Sequence, residues 1–178
     1  MTLQPVLYCD IDGVIAPDSP PRVWPGETTT VTLTQKVHGG FGMIRRATFA
    51  NTLVQALDQV VRDFNVELVW QSSWNENLAV TRKLVPKFGG ALAGGRVSAY
   101  PDGEDGEGGF WKRDGILTDQ DSDPRPFVWL DDTEVPAHGD TVRTITAPTP
   151  SLLIAPDSNL GLTPTHVELL REFYSAVA

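Results

Sequence analysis

Short apolar runs and longer segments with helical spacing alternate along this chain. Val6–Cys9 and Phe127–Leu130 are continuous apolar runs, typical of strands that are buried on both faces, and Val66–Trp70 has the length and composition of a further strand. In the segment just before Val66–Trp70, apolar residues recur at the spacing of a helix: Leu53, Val54, Leu57, Val60, Val61 and Phe64. A strand, a helix and a strand in this order predict a right-handed parallel crossover. The pattern indicates an α/β fold.

Capping signals predict where two helices begin and end. Asn51 is the expected N-cap of the first helix, and Asn65 suits a left-handed residue at its end. Thr163 is the expected N-cap of the last helix, and Pro164 suits its first position. The apolar stripe of that last helix is formed by Val167, Leu170 and Phe173 or Tyr174.

The middle of the chain is less regular. Ser73 and Glu76 have the spacing of a capping box, which predicts the start of a helix that ends at Pro86. A third strand is expected within residues 88–100, followed by an acidic, glycine-rich loop at 101–109. Further strand segments are expected at Val142–Thr146 and Leu152–Ile154.

Residues 16–49 are predicted to form a small flap inserted beside the first strand. Residues 16–27 contain four prolines and a glycine and are too broken for a helix or a central strand. Thr28–Gln35 alternates like a half-exposed strand, Gly39-Gly40 is expected to turn the chain, and Phe41–Phe49 returns as the second arm. The basic residues of the flap suit a solvated hairpin face as well as a phosphate-binding surface. They are Lys36, His38, Arg45 and Arg46.

The composition predicts a single soluble domain over residues 1–178. Hydrophobic residues make up 40% and charged residues 21%, and the sequence shows neither a signal peptide nor an apolar run long enough to span a membrane. The single cysteine, Cys9, suits a buried, inert thiol in a reducing cytoplasm. The net charge of −9 argues against broad, sequence-independent nucleic-acid binding and suits a site for a divalent cation.

Acidic residues directly follow two of the predicted strands. Asp10 and Asp12 follow the first strand, and Gly13 permits the bend that would bring both carboxylates to one site. Asp131 and Asp132 follow a later strand in the same way. The carboxyl ends of parallel strands are where open α/β sheets bind ligands. Paired carboxylates at such a place are costly unless a cation or a basic group offsets them.

Ser72 and Lys112 complete the set of candidate polar residues. Ser72 lies at the end of the second strand, where its hydroxyl can donate to an anion, and Lys112 opens a short helix. Each signal is weak by itself, because a serine here is more often a turn residue and a helical lysine is more often exposed. The stretch Asp10–Gly13 alone equally fits an Asx-rich turn, but it lacks the acid spacing and flanking helices of a calcium loop.

Together these residues resemble the four motifs of the haloacid dehalogenase (HAD) superfamily, in that family's order. The motifs are Asp10-x-Asp12-Gly13-Val14, Ser72 after a strand, Lys112, and Leu130-Asp131-Asp132. The surrounding residues are similar to a small bacterial branch, the phosphatase-type domain associated with RNA repair proteins. The resemblance implies a Rossmann-like three-layer sandwich with a mostly parallel central sheet and a small inserted hairpin flap. It also implies a phosphoric monoester hydrolase.

The resemblance also implies roles for the residues. Asp10 would be the nucleophile that forms an aspartyl-phosphate, and Asp12 the general acid and base. Ser72 would hydrogen-bond the phosphoryl group, and Lys112 would balance the charge. Mg²⁺ would be held by Asp10, Asp132 and the backbone carbonyl of Asp12, with Asp131 as a second acid near the metal. Substrate binding is expected from Gly13, Ser73, Arg45 and Arg46.

The sequence leaves the substrate and two other classes of protein open. The small flap predicts an open site, which suits a nucleic-acid terminus, a phosphoprotein or a promiscuous small-molecule activity. Trp24, Trp74 and Trp111 suit buried core positions better than base stacking. A phosphorylatable receiver domain is disfavoured, because there the acidic pair comes first and the lysine last. A non-catalytic phosphate- or nucleic-acid-binding module that has kept the fold is the remaining alternative.

Overall fold

The computed structural model describes residues 3–36, 42–76, 83–100 and 110–178. The strands are β1 (Val6–Cys9), β2 (Thr28–Lys36), β3 (Gly42–Ala50), β4 (Glu67–Trp70), β5 (Arg96–Val97), β6 (Phe127–Leu130) and β7 (Ser151–Ile154). The α-helices are α1 (Asn51–Asp63), α2 (Trp111–Ser122), α3 (Glu134–Thr146) and α4 (Pro164–Val177). Short 3₁₀ helices cover Ser73–Glu76, Val85–Lys87 and Gly90–Gly94.

A five-stranded parallel sheet forms the centre of the fold, with strand order β5-β4-β1-β6-β7. Every residue of β1 and β6 is buried, as the continuous apolar runs predicted. Side chains alternate between two faces: Leu7 and Cys9 pack into one core with α1 and α4, whereas Val6 and Tyr8 pack into another with α2 and α3. The three-layer α/β sandwich is confirmed.

The flap is an antiparallel hairpin of β2 and β3, paired from Thr28 opposite Ala50 to Lys36 opposite Gly42. Its inner face joins the main core through Val31, Ala47 and Phe49, and the Phe49 ring lies 4.9 Å from that of Phe88. The predicted turn at Gly39-Gly40 lies outside the described residues, as does the acidic loop at 101–109.

The prediction that Asn51 caps the first helix is wrong. The N-cap position is Ala50, and no side chain caps the helix there. The Asn51 side chain instead accepts a hydrogen bond of 2.7 Å from the hydroxyl of Thr29, which ties the helix to the flap. Asn65 does adopt the predicted left-handed conformation, with φ of 49°.

The strand predicted at Val142–Thr146 is also wrong, because these residues end helix α3. Their β-branched side chains favour strands, but the buried residues of this helix, Gly139, Val142 and Thr146, recur at the three- and four-residue spacing of one helical face, while Ile145 is 60% exposed. The other predicted segment is strand β7. The expected third strand is only the two residues of β5.

The two remaining helix predictions have different outcomes. Thr163 caps α4 as predicted, with Pro164 in its first turn. Ser73 begins a 3₁₀ helix, and the side chain of Glu76 and residues 77–82 lie outside the described part of the chain. Among the described residues, no helix has both the length and the apolar character needed to cross a membrane.

Candidate active site

The sheet register brings the ends of three neighbouring strands together. Cys9 is aligned with Trp70 of β4 and with Leu130 of β6. The backbone N–H of Asp10 donates to the Leu130 carbonyl at 3.0 Å, and that of Gln71 donates to the Cys9 carbonyl at 2.9 Å. The first residues after β1, β4 and β6 therefore lie side by side at the carboxyl edge of the sheet.

Asp10 and Lys112 form a buried ion pair at this edge. The ammonium of Lys112 donates to Asp10 Oδ2 at 2.5 Å and to Asp131 Oδ2 at 2.7 Å. The other Asp10 oxygen, Oδ1, accepts from the Ile11 backbone N–H at 2.6 Å. Asp10 is 7% exposed and Lys112 8%. A lysine predicted only from its place in a motif thus lies between the carboxylates of two strand ends.

In this cluster, burial and the opposite charge of the ion-pair partner shift the pKa values of Asp10 and Lys112 in opposite directions. Burial raises the pKa of Asp10, while the Lys112 charge and a hydrogen bond from Ser72 oppose that rise. Burial would lower the pKa of Lys112, but the Asp10 and Asp131 carboxylates outweigh it and the net shift is upward. The lysine is therefore a permanent cation beside Asp10. A second cation at the site would stabilise the charged form of Asp10 further.

Both oxygens of Asp131 are held by protein donors. Oδ2 accepts from Lys112, and Oδ1 accepts from the backbone N–H groups of Thr133 and Glu134 at 3.0 and 2.7 Å. Asp131 thus satisfies two N–H groups at the start of α3 while it positions the lysine. Both oxygens of this carboxylate therefore already accept hydrogen bonds from the protein.

Asp132 lies directly against the bend at Gly13. Gly13 has φ of +67°, and a Cβ atom at this position would lie 2.4 Å from Asp132 Cγ. The close approach and the positive φ both require glycine here. Gly13, predicted as the bend in the first motif, therefore makes room for the second acid of the late acidic pair.

The donor set fits Mg²⁺. Asp10, Asp131 and Asp132 each offer a carboxylate oxygen, and the three oxygens lie within 4.8 Å of one another. Hard oxygen ligands in a small cluster are what Mg²⁺ takes from proteins. Asp132 is half-buried, and its Oδ2 accepts a long hydrogen bond of 3.3 Å from the Thr133 hydroxyl. By its hydrogen bonding, Asp132 suits a direct ligand better than Asp131, whose oxygens already accept from Lys112 and from two N–H groups at the start of α3.

Asp12 points away from the sheet. It contacts the flap and residues 71–76 after strand β4, here called the β4 loop. Its Oδ2 accepts a hydrogen bond of 2.8 Å from the indole N–H of Trp74, and Arg45 Nη1 lies 3.7 Å away. Partial burial raises the pKa of Asp12, against the effects of Trp74 and Arg45. The Asp12 side chain is 47% exposed. It is a carboxyl group of raised pKa at the mouth of the site.

The predicted serines and arginines have different places. Ser72 is fully buried beside Asp10, and its hydroxyl accepts from the Trp74 backbone N–H at 3.4 Å. Ser73 accepts a hydrogen bond of 2.9 Å from Arg45, which joins the flap to the β4 loop. The exposed side chain of Arg46 faces a cleft beside Asp12.

Trp74 and Gln71 support the site, although the sequence did not predict this. The Arg45 guanidinium lies 5.4 Å from the centre of the Trp74 ring, so this buried tryptophan contacts both Arg45 and Asp12. Gln71 Nε2 donates to the Lys112 carbonyl at 3.2 Å and fixes the start of α2. Both residues lie close to Ser72 at the end of a predicted strand, and this position was the signal in the sequence that could have identified them.

A family model described as the HAD domain in Swiss Army Knife RNA repair proteins matches residues 6–167. The chain belongs to this HAD family. The match spans both acidic pairs, Ser72 and Lys112, so the predicted resemblance is confirmed. A search of the curated proteins found no match. Membership of the HAD family supports a phosphatase-type hydrolase, and hence a phosphorylated substrate, in general terms.

Proposed function

We propose that this HAD protein is a Mg²⁺-dependent phosphatase that hydrolyses phosphate monoesters through an aspartyl-phosphate on Asp10. The observation that carries the proposal is the buried Asp10 carboxylate at the end of β1, paired with Lys112 and clustered with two further acids. A buried carboxylate beside a fixed cation and a cation-binding acid cluster suits attack on an anionic substrate.

The acid cluster is proposed to hold the metal through Asp10, Asp132 and the backbone carbonyl of Asp12. Bound there, Mg²⁺ would neutralise the repulsion between a phosphate dianion and the attacking carboxylate. Asp131 is assigned a positioning role, since it holds Lys112 and the start of α3.

In the first step, an Asp10 oxygen forms a bond to phosphorus while the bond from phosphorus to the leaving oxygen breaks. Asp12 gives its proton to that oxygen, and the alcohol leaves. The raised pKa of Asp12 keeps the proton available, and the exposure of its carboxyl lets it reach an entering ester.

In the second step, Asp12, now a carboxylate, takes a proton from water as the water oxygen bonds to phosphorus. The bond between Asp10 and phosphorus breaks, and inorganic phosphate and a free Asp10 carboxylate are released. Trp74 and Arg45 hold Asp12 in one place for both transfers.

Lys112 and Ser72 are proposed to stabilise the phosphoryl group during these steps. The ammonium of Lys112 lies against Asp10, where negative charge would shift from the carboxylate to the phosphoryl group and back during the two steps. Ser72 is buried next to the same carboxylate and offers a hydroxyl. Donors that are already fixed by the fold stabilise such charge without reorganisation.

The family description favours a terminal phosphate of a nucleotide or nucleic acid as the physiological substrate. The net charge of −9 opposes broad nucleic-acid binding, so recognition would be limited to the end of the strand. Arg45, Arg46 and Ser73 are the proposed substrate-binding residues of the flap side, with Gly13 at the bend.

The test is Mg²⁺-dependent phosphate release from p-nitrophenyl phosphate, mononucleotides and oligonucleotides with 3′- or 5′-phosphates. Asp10→Asn is expected to lower kcat at least 1,000-fold, roughly the loss of a nucleophile. Asp140→Asn, at a fully exposed aspartate of α3, is the matched control and should be unchanged. Activity that survives Asp10→Asn would refute the assignment of the nucleophile. Substrate binding without phosphate release would favour a binding module that has kept the fold.

A further inference from the structure

A cleft of about 390 Å³ opens directly beside Asp12. Its size falls within the range of roughly 300–1,000 Å³ that is common for small-ligand sites. The lining residues are Asp12, Ala16, Pro17, Asp18, Ser19, Pro20, Arg46 and Thr48. Because Asp12 is the proposed proton donor to the leaving oxygen, a group in this cleft would be the leaving alcohol.

One wall of the cleft is fixed to the core of the protein. Ala16 bridges back to Asp12, and the Asp18 backbone N–H donates to the Ser158 carbonyl at 2.8 Å. The Ser19 hydroxyl donates to the Asn159 side chain at 3.3 Å. The opposite wall is strand β3 of the flap, which supplies Arg46 and Thr48. The cleft is therefore formed before a substrate arrives.

The lining combines opposite charges, hydroxyls and small apolar surfaces. Asp18 and Arg46 both face the cleft, and within the described residues no carboxylate forms an ion pair with Arg46. The Asp18 carboxylate would repel a leaving group with a second phosphate, and the Arg46 guanidinium would repel a cationic leaving group. A carboxylate that accepts, a guanidinium that donates and two hydroxyl oxygens that can accept suit a neutral group with several hydroxyls. The rings of Pro17 and Pro20 suit its C–H faces.

We propose that this cleft binds a sugar as the leaving alcohol, so that the substrates are sugar phosphates, free or as part of a nucleotide. Asp18 and Arg46 are the specificity-determining residues: Asp18 accepts hydrogen bonds from sugar hydroxyls, and Arg46 donates to their oxygens. The inference rests on the proposed phosphatase function and adds the class of its leaving group.

The experiment compares kcat/KM for alkyl phosphates whose leaving groups react similarly: ribose 5-phosphate, propyl phosphate, phosphocholine and 3-phosphoglycerate. Ribose 5-phosphate should exceed propyl phosphate by about tenfold or more, the value of one good hydrogen bond to a charged group. Asp18→Asn and Arg46→Gln should each lower this ratio by about tenfold. A 5′- and a 3′-mononucleotide are compared with ribose 5-phosphate to show whether a nucleoside or a free sugar is the preferred leaving group.

The controls are Asp140→Asn and Arg143→Gln, two exposed residues of α3 that pair with each other on the surface. Neither should change the ratio. A change that is uniform across substrates in Asp18→Asn would mean that Asp18 acts only through the charge of its neighbour Asp12, and would overturn the inference. A preference for phosphocholine or 3-phosphoglycerate would overturn it as well.

Binding separates failure of this inference from failure of the phosphatase proposal. The Asp10→Asn protein is titrated calorimetrically with ribose 5-phosphate and propyl phosphate in Mg²⁺, and loss of the nucleophile affects both ligands alike. Tighter binding of the sugar phosphate, weakened by Asp18→Asn in the same background, supports the cleft even where wild-type protein releases no phosphate. Equal binding of the two ligands overturns it even where phosphate release is rapid.

Discussion

Gly13 links the two acidic pairs through a single steric contact. A side chain at this position would enter the space of the Asp132 carboxylate, and the backbone there has a φ that favours glycine. The position of a proposed metal ligand thus depends on a residue that carries no functional group.

Gly13→Ala is predicted to displace Asp132 and to lower phosphatase activity about 100-fold, with a higher Mg²⁺ requirement, since a misplaced ligand of this kind costs roughly 10- to 100-fold. The measurement is kcat/KM as a function of Mg²⁺ concentration. Gly94→Ala is the matched control, because a Cβ atom on Gly94 would meet no atom of the described residues within 4 Å. Equal Mg²⁺ dependence of the two variants would contradict this account of Gly13.

Lys112→Met is predicted to lower the free energy of unfolding by about 3–5 kcal/mol, because it leaves two buried carboxylates without their cation. Denaturant unfolding at neutral pH measures the loss. Lys87→Met, at an exposed lysine, is the control.

Adding Asp131→Asn to Lys112→Met should restore part of that stability. The double variant removes one unpaired charge, while the amide oxygen of asparagine can still accept from the N–H groups that start α3. A double variant that is less stable than Lys112→Met would contradict the positioning role of Asp131.

The sequence predicted the acids, the serine and the lysine of this cluster because their order resembles the four motifs of the HAD superfamily, with the acids and the serine directly after strands. It did not predict that Trp74 and Arg45 would hold Asp12. That contact depends on how the flap lies over the β4 loop, and Arg45 and Trp74 are far apart in the chain. Arg45 and Arg46 are adjacent in sequence, but Arg45 contacts Asp12 and Ser73 whereas Arg46 faces the neighbouring cleft, since neighbours in a strand point to opposite faces.

At the scale of elements, helix α4 carries a capping box whose second member is a histidine. The Thr163 hydroxyl accepts from the His166 N–H, and His166 Nδ1 accepts from the Thr163 N–H at 3.1 Å. An accepting ring nitrogen must be unprotonated. The sequence predicted Thr163 and Pro164 but gave His166 no role, because glutamate or glutamine is the usual partner.

The capping histidine gives a pH dependence of stability with a definite sign. Burial lowers the pKa of His166, so the unfolded chain binds this proton more readily than the folded one. Its contribution is full above the ordinary histidine pKa of about 6.5 and is lost as the pH falls from there to the lower pKa of the folded state. His166→Gln keeps an acceptor that does not titrate, so its Tm should fall less than that of the wild type between pH 8 and pH 5. Parallel Tm curves would contradict this role.

At the scale of the whole molecule, the strand order determines which residues meet. Strand β1 is central, between β4 and β6, so Asp10 has neighbours on both sides at the carboxyl edge. Periodicity predicted the buried strands and the parallel crossover, but it does not determine strand order, and the β-branched end of α3 was wrongly predicted as a strand. The cluster of acids could be anticipated because parallel strands must present their carboxyl ends at one edge.

The central claim is that Asp10 carries the phosphoryl group, and trapping that group tests it most directly. The Asp12→Asn protein is mixed with p-nitrophenyl phosphate and Mg²⁺, quenched in acid and mapped by peptide mass. This leaving group needs little acid catalysis, whereas the second step needs the base, so the intermediate should accumulate. The account predicts one phosphoryl group on the peptide that contains Asp10, removable by hydroxylamine. A phosphoryl group on another residue, or phosphate release without any labelled peptide, would contradict it.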